Sequence, residues 1–147
     1  MIVSVDPGTC KFGWAVANDQ GDLAASGVMH ADDLEGLFDI LLSFDAASLK
    51  KAAEEWIPRN LCLESEMVLL LGSGTGHRPF LKLLEERGLS PVMVAEDYST
   101  LEARKSYWRL HPPTGFRKLL PESMRAPPRP IDDLAAWIII KRFLKAR

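Results

Sequence analysis

At 147 residues, 47% of them apolar, and with a formal net charge of −2, the chain is sized for one domain, 1–147, with a full core. No apolar run reaches membrane-spanning length, and the N-terminus lacks a basic-then-apolar leader pattern, so the expectation is a cytoplasmic protein with no membrane partner. Cys10 and Cys62 stand apart, with no CxxC and no Cys/His cluster, which argues against a disulfide scaffold and a zinc site.

The first eighteen residues organise the rest. Ile2-Val3-Ser4-Val5 is a short apolar run that ends in Asp6, Pro7-Gly8 bars helix and demands a turn, and Phe12 to Ala17 is a second apolar run. Period and length predict two antiparallel strands, the first deeply buried, with a carboxylate at its end. A charge just past a buried strand either finds a cation or braces the turn, and both readings of Asp6 stand on the local sequence.

Asp19-Gln20-Gly21-Asp22 is a turn signal, so Leu23 to Met29 reads as a third meander strand. Asp32 and Asp33 open a helix with Leu34, Leu37, Phe38 and Leu41 on one face. Ala47 to Trp56 reads as further helix stopped by Pro58, and Met67 to Leu71 as an all-apolar fourth strand that runs into Gly72-Ser73-Gly74-Thr75-Gly76. Pro79 to Arg87 is a helix closed by Gly88, and Pro91 to Ala95 a fifth strand. Ser99 and Glu102 have capping-box spacing for a helix starting near Thr100. An irregular stretch, about 111–130, holds six of the ten prolines, and a last helix starts near Ile131, with Leu134, Ala135, Ile138 and Arg142 on its stripe. The expected fold class is α/β: a mixed five-stranded sheet, three antiparallel meander strands plus two parallel ones, flanked by helices, with sites gathered at the ends of the central strands.

Three acidic positions fall at element ends in this layout: Asp6, Glu96 (with Asp97 beside it), and Asp132 with Asp133. Carboxylates converging on one rim repel unless a hard cation sits between them, and Mg²⁺ or Mn²⁺ suits an all-oxygen site. The bland alternatives are a loop pair at Glu96-Asp97 and, for Asp132 and Asp133, first-turn acids that favour the helix dipole by up to about 1 kcal/mol. The GSGTG loop reads equally as a phosphate-facing run of N–H groups or as turn geometry.

Charge is unevenly divided. Residues 1–103 carry 7 Lys/Arg against 17 Asp/Glu, whereas residues 104–147 carry 11 against 3. Arg104, Lys105, Arg109, Arg117, Lys118, Arg125 and Arg129 fall in one stretch against a single acid, Glu122, with Tyr107, Trp108 and Phe116 among them. Arginines to grip phosphates, interleaved with rings to stack on bases, point to single-stranded or branched nucleic acid, with Trp108 as the stacking ring. The competing reading puts Tyr107 and Trp108 in the core and the arginines in solvent.

The patterns DPGTCKFGWAV at 6–16, EDYSTLEAR at 96–104 and IDDLAAW at 131–137 resemble the RuvC/YqgF branch of the ribonuclease H-like superfamily. They stand in the family's order and span nearly the whole chain. The tail with its proline-rich insert resembles a YqgF-like subgroup. The resemblance implies a ribonuclease H-like fold and a metal-dependent nuclease, either a Holliday-junction resolvase or a nuclease of ribosomal RNA precursors. It implies Asp6, Glu96 and Asp132 as catalytic metal ligands with Asp133 as an adjacent spare, and Mg²⁺ or Mn²⁺ as cofactor; Lys11, in the turn after Asp6, is placed to neutralise the scissile phosphate. A two-fold symmetric junction would call for a homodimer, although no stripe of the sequence is dedicated to one. One departure stands out: resolvases carry a further acid on or after the fourth strand, where this chain has GSGTG, with Glu64 and Glu66 only at the strand's other end. That gap keeps an alternative in play, a weakly active or inactive nucleic-acid-binding module of the same fold. The DPGT opening also resembles the phosphate loop of actin-like ATPases, whose two large lobes 147 residues cannot hold.

Overall fold

The computed structural model describes residues 1–95, 97 and 99–147. Strands β1 (Ile2–Asp6), β2 (Lys11–Ala17) and β3 (Leu23–His30) form the antiparallel meander. Helices α1 (Leu34–Leu42) and α2 (Ala46–Ala52) follow, and then a two-residue strand, β4 (Glu55–Trp56). Strand β5 (Val68–Gly72), α3 (His77–Glu86), β6 (Val92–Val94), α4 (Ser99–Leu110) and α5 (Asp132–Ala146) complete the order. The sheet runs β4-β3-β2-β1-β5-β6, with β5 and β6 parallel to β1. Among the described residues no helix is long and apolar enough to cross a membrane.

The sheet thus has six strands rather than the expected five, because the helix predicted to run to Trp56 stops at Ala52. Ala53 is already extended, the Glu54 N–H donates to the Ser26 carbonyl at 2.7 Å, and Ile57 N–H to that of Ala24 at 2.7 Å. Pairing with the free edge of β3 outweighs a helical preference worth only tenths of a kcal/mol per residue.

Strand alternation divides the core in two. Val3, Val5, Phe12, Trp14 and Val16 face α1, α2 and α3, packing on Leu37, Phe38, Leu49, Phe80 and Leu84. Ile2, Ala15, Ala17 and Leu70 face α4 and α5, packing on Ala103, Tyr107, Leu134, Ile138 and Ile139. On this second face β1 and β2 contribute mostly small residues, so α5 lies close to the sheet. Ser4 Oγ donates to the Ala136 carbonyl at 2.6 Å. At Gly13 the approach is closest: a Cβ there would stand 2.0 Å from the Asp132 carbonyl oxygen. Only glycine permits this contact, and it sets where α5 begins.

Candidate acidic site and nucleic-acid surface

Asp6 is the last residue of β1 and pairs with Gly13 on β2. By alternation it shares the face of Ile2 and Ser4, the face α5 covers. Gly13 in turn lies against the backbone of Asp132, the first residue of α5. Asp6 is partly buried, and Asp132 is 42% exposed, with Lys11 Nζ 3.0 Å from its Oδ2. The end of β1, the start of β2 and the start of α5 thus carry Asp6, Lys11 and Asp132, with Lys11 and Asp132 in contact. Glu96 lies outside the described residues. The backbone on either side of it is held by Arg142, which bonds the carbonyls of Ala95 and Asp97 and the Glu102 carboxylate. A residue expected on the apolar stripe of the last helix thus ties the segment after β6 to α5.

Gly8 and Gly76 bring the β1–β2 turn and the GSGTG loop together. Gly76 has φ +95°, and its missing side chain faces the Gly8 carbonyl carbon at 3.5 Å. Positive φ is cheap only for glycine. The loop's end, like that of β5, carries no carboxylate.

Three of the expected site residues are placed elsewhere. Asp133, the expected spare metal ligand, is 0% exposed. Its Oδ1 accepts from Arg129 Nη1 at 2.8 Å, and its Oδ2 from Ser26 Oγ at 2.7 Å and Arg129 Nη2 at 3.2 Å. Arg129, expected on phosphate, is consumed by this fork and by Glu55, whose Oε1 accepts its Nη2 at 2.7 Å. Burial alone would lower the Arg129 pKa, but the Asp133 and Glu55 carboxylates overcome it and raise it. Trp108, expected to stack on bases, is 8% exposed in the core under α4 and α5, its Nε1 donating to the Arg125 carbonyl at 3.3 Å. A ring packed this way has little face left for a base. Tyr107 is likewise core, against Trp108, His111 and the Arg129 guanidinium.

The other predicted cations, Lys11, Arg104, Lys105, Arg109, Arg117 and Lys118, lie at the surface. Arg125 is partly buried, its guanidinium bonding the carbonyls of Arg117 and Lys118.

Sequence reasoning missed Glu55 and His111. Both ends of the proline-rich insert meet at the Glu55 carboxylate: His111 Nε2 is 2.6 Å from Oε1, the oxygen that also takes Arg129. No local signal marks a glutamate in a stretch read as helix, and the pairing spans 56 residues on one side and 74 on the other.

Comparison of the chain with protein-family models, curated proteins and solved structures found no match. Among the described residues no group of three His, Cys, Asp or Glu side chains is placed to hold a metal ion. Carboxylates such as Asp6 and Asp132 are hard oxygen donors, the kind that would hold Mg²⁺ or Mn²⁺ rather than a soft metal.

Proposed function

We propose that the chain is a cytoplasmic, divalent-metal-dependent nuclease of ribonuclease H-like fold acting on structured nucleic acid, either a four-way junction or a ribosomal RNA precursor. The observation that carries this reading is that Gly13, the strand partner of Asp6, lies against the Asp132 backbone at the start of α5. Further support comes from the motif resemblance to the RuvC/YqgF branch and from a sheet in which three antiparallel strands are extended by two parallel ones.

In this reading Asp6 and Asp132, with Glu96, hold Mg²⁺ or Mn²⁺, which when bound supplies Lewis acidity to a phosphodiester. The protein's own part is electrostatic positioning. Lys11, half exposed and in contact with Asp132, would exchange its carboxylate partner for a phosphate oxygen and offset the charge that builds up on it. Arg104, Lys105, Arg109, Arg117 and Lys118 supply the positive field that gathers the polyanion. Incubation with Mn²⁺ and labelled four-way junction, single-stranded RNA and duplex DNA tests the assignment. Cleavage abolished by Asp6→Asn supports it, and intact substrates throughout would contradict it.

A second reading, binding without cleavage, is favoured by one observation: the Lys11–Asp132 ion pair already compensates an acid that the nuclease reading gives to a cation. Retained binding with no cleavage in either metal would decide for it.

A further inference from the structure

Three apolar side chains of the proline-rich insert are the most exposed large hydrophobics among the described residues: Leu119 at 81%, Phe116 at 73% and Met124 at 66%. They fall within nine residues, in the most basic part of the chain. Phe116 and Leu119 are the second and last residues of a 3-10 turn, Gly115–Leu119. Positions i and i+3 eclipse in that geometry, so both side chains leave the same face.

The segment that presents them is tied down. Its ends meet at Glu55 through His111 and Arg129. Its middle is cross-braced by Arg125, which bonds the carbonyls of Arg117 and Lys118, and the Arg125 carbonyl is bonded by Trp108 of α4. Beside it, between α4 and the Glu122–Met124 turn, is an open cleft of about 320 Å³ lined by Lys105, Trp108, Arg109, Glu122 and Arg125. Three cations against one acid make that cleft a place for an anion.

We propose that the insert is a wedge for branched or unpaired nucleic acid. A backbone phosphate sits in the cleft between Lys105, Arg109 and Arg125, and Phe116 with Leu119 packs on the face of an unstacked base step. Apolar wedges of this kind take up base faces that a continuous duplex keeps stacked, and stacking on a ring is indifferent to sequence. The charge of the surroundings selects nucleic acid over an apolar protein partner, which would leave Arg117, Lys118, Lys105 and Arg109 around the rim without compensation. The proposal rests on the nucleic-acid side of the function above, independently of cleavage, and explains why an ordered, braced segment keeps its largest apolar side chains in water.

The test is anisotropy with the full chain, without metal, on a four-way DNA junction, a bulged RNA hairpin and plain duplexes of both kinds. 2-Aminopurine at the branch or bulge reports unstacking. Phe116→Ser with Leu119→Ser, both on the surface, should leave the melting temperature unchanged and weaken junction and bulge binding about tenfold or more, with duplex affinity unaffected and the 2-aminopurine brightening lost. Lys105→Ala with Arg109→Ala should instead weaken all four ligands, and reduce the log-salt slope by roughly 0.7 to 0.9 per cation removed. Wild type that binds while the Phe116/Leu119 variant keeps its affinity and its 2-aminopurine signal would overturn the wedge alone, and leave the patch to a protein partner. Wild type that binds none of the four would overturn the nucleic-acid reading itself.

Discussion

Removing the Arg129 guanidinium tests the internal charge network most severely. Arg129→Met keeps much of the side-chain stem but takes two of the three hydrogen bonds from Asp133, which is fully buried, and one of two from Glu55, whose side chain is 10% exposed. Asp133 is then left with Ser26 Oγ, and Glu55 with His111. Breaking a buried pair by removing one partner costs about 3–5 kcal/mol, because the remaining charge is neither solvated nor paired. In a domain of this size each kcal/mol moves the melting temperature by roughly 2–4 °C, so the expected fall is on the order of 6–20 °C. Urea unfolding followed by circular dichroism gives the free energy directly. Adding Asp133→Asn to Arg129→Met should recover part of the loss, since no unpaired charge then remains at position 133. If Arg129→Met stays within about 1 kcal/mol of wild type, the network does not carry the buried charge as argued.

Other perturbations probe separate links. Gly13→Ala puts a Cβ 2.0 Å from the Asp132 carbonyl oxygen. The start of α5 must move, at an expected cost of about 1–3 kcal/mol or more, and unchanged thermal stability would show the contact to be soft. Trp108→Ala should cost about 3–5 kcal/mol of stability as a core ring; normal stability with lost nucleic-acid binding would return it to a stacking role. Lys141 sits half-buried with Nζ 3.3 Å from the Trp137 ring centroid. Burial first, and then the Arg109 charge, hold its pKa below the ordinary 10.5. Below the folded value the fold carries a charged amine it disfavours, and that penalty is relieved as pH climbs from the folded value towards 10.5. The stability of Lys141→Gln relative to wild type should therefore fall over that pH interval, and a difference that is flat with pH would contradict the assignment.

The meander, the helix faces and the parallel pair β5 and β6 were legible because each rests on local periodicity and turn chemistry. So was the placement of Asp6 and Asp132 at element ends. What local patterns could not reveal was β4 and everything built on it. Glu55 sits in a stretch whose spacing suits a helix, and only the open edge of β3, folded from residues thirty positions earlier, draws it into the sheet. His111 and Arg129 then find Glu55, and Ser26 finds Asp133, across sequence separations that carry no pattern; only Arg129 and Asp133, four residues apart, are local. Trp108 illustrates a different failure. A ring between arginines is compatible with either a base or a core, and the side of α4 that meets α5 decides. Gly13 was readable as a strand residue but not as the seat of α5, since a helix passing over a strand leaves no mark except the missing side chain.

The proposed nuclease function requires Asp6 and Asp132 to hold a divalent cation together. Mn²⁺ titration by calorimetry of wild type, Asp6→Asn and Asp132→Asn, each checked for an unchanged circular dichroism spectrum, tests it most directly. Saturable binding to wild type is expected, with a loss of about tenfold or more in each variant, at least the scale on which even outer-shell partners act. Equal affinity in all three, or no Mn²⁺ binding by wild type, would contradict it.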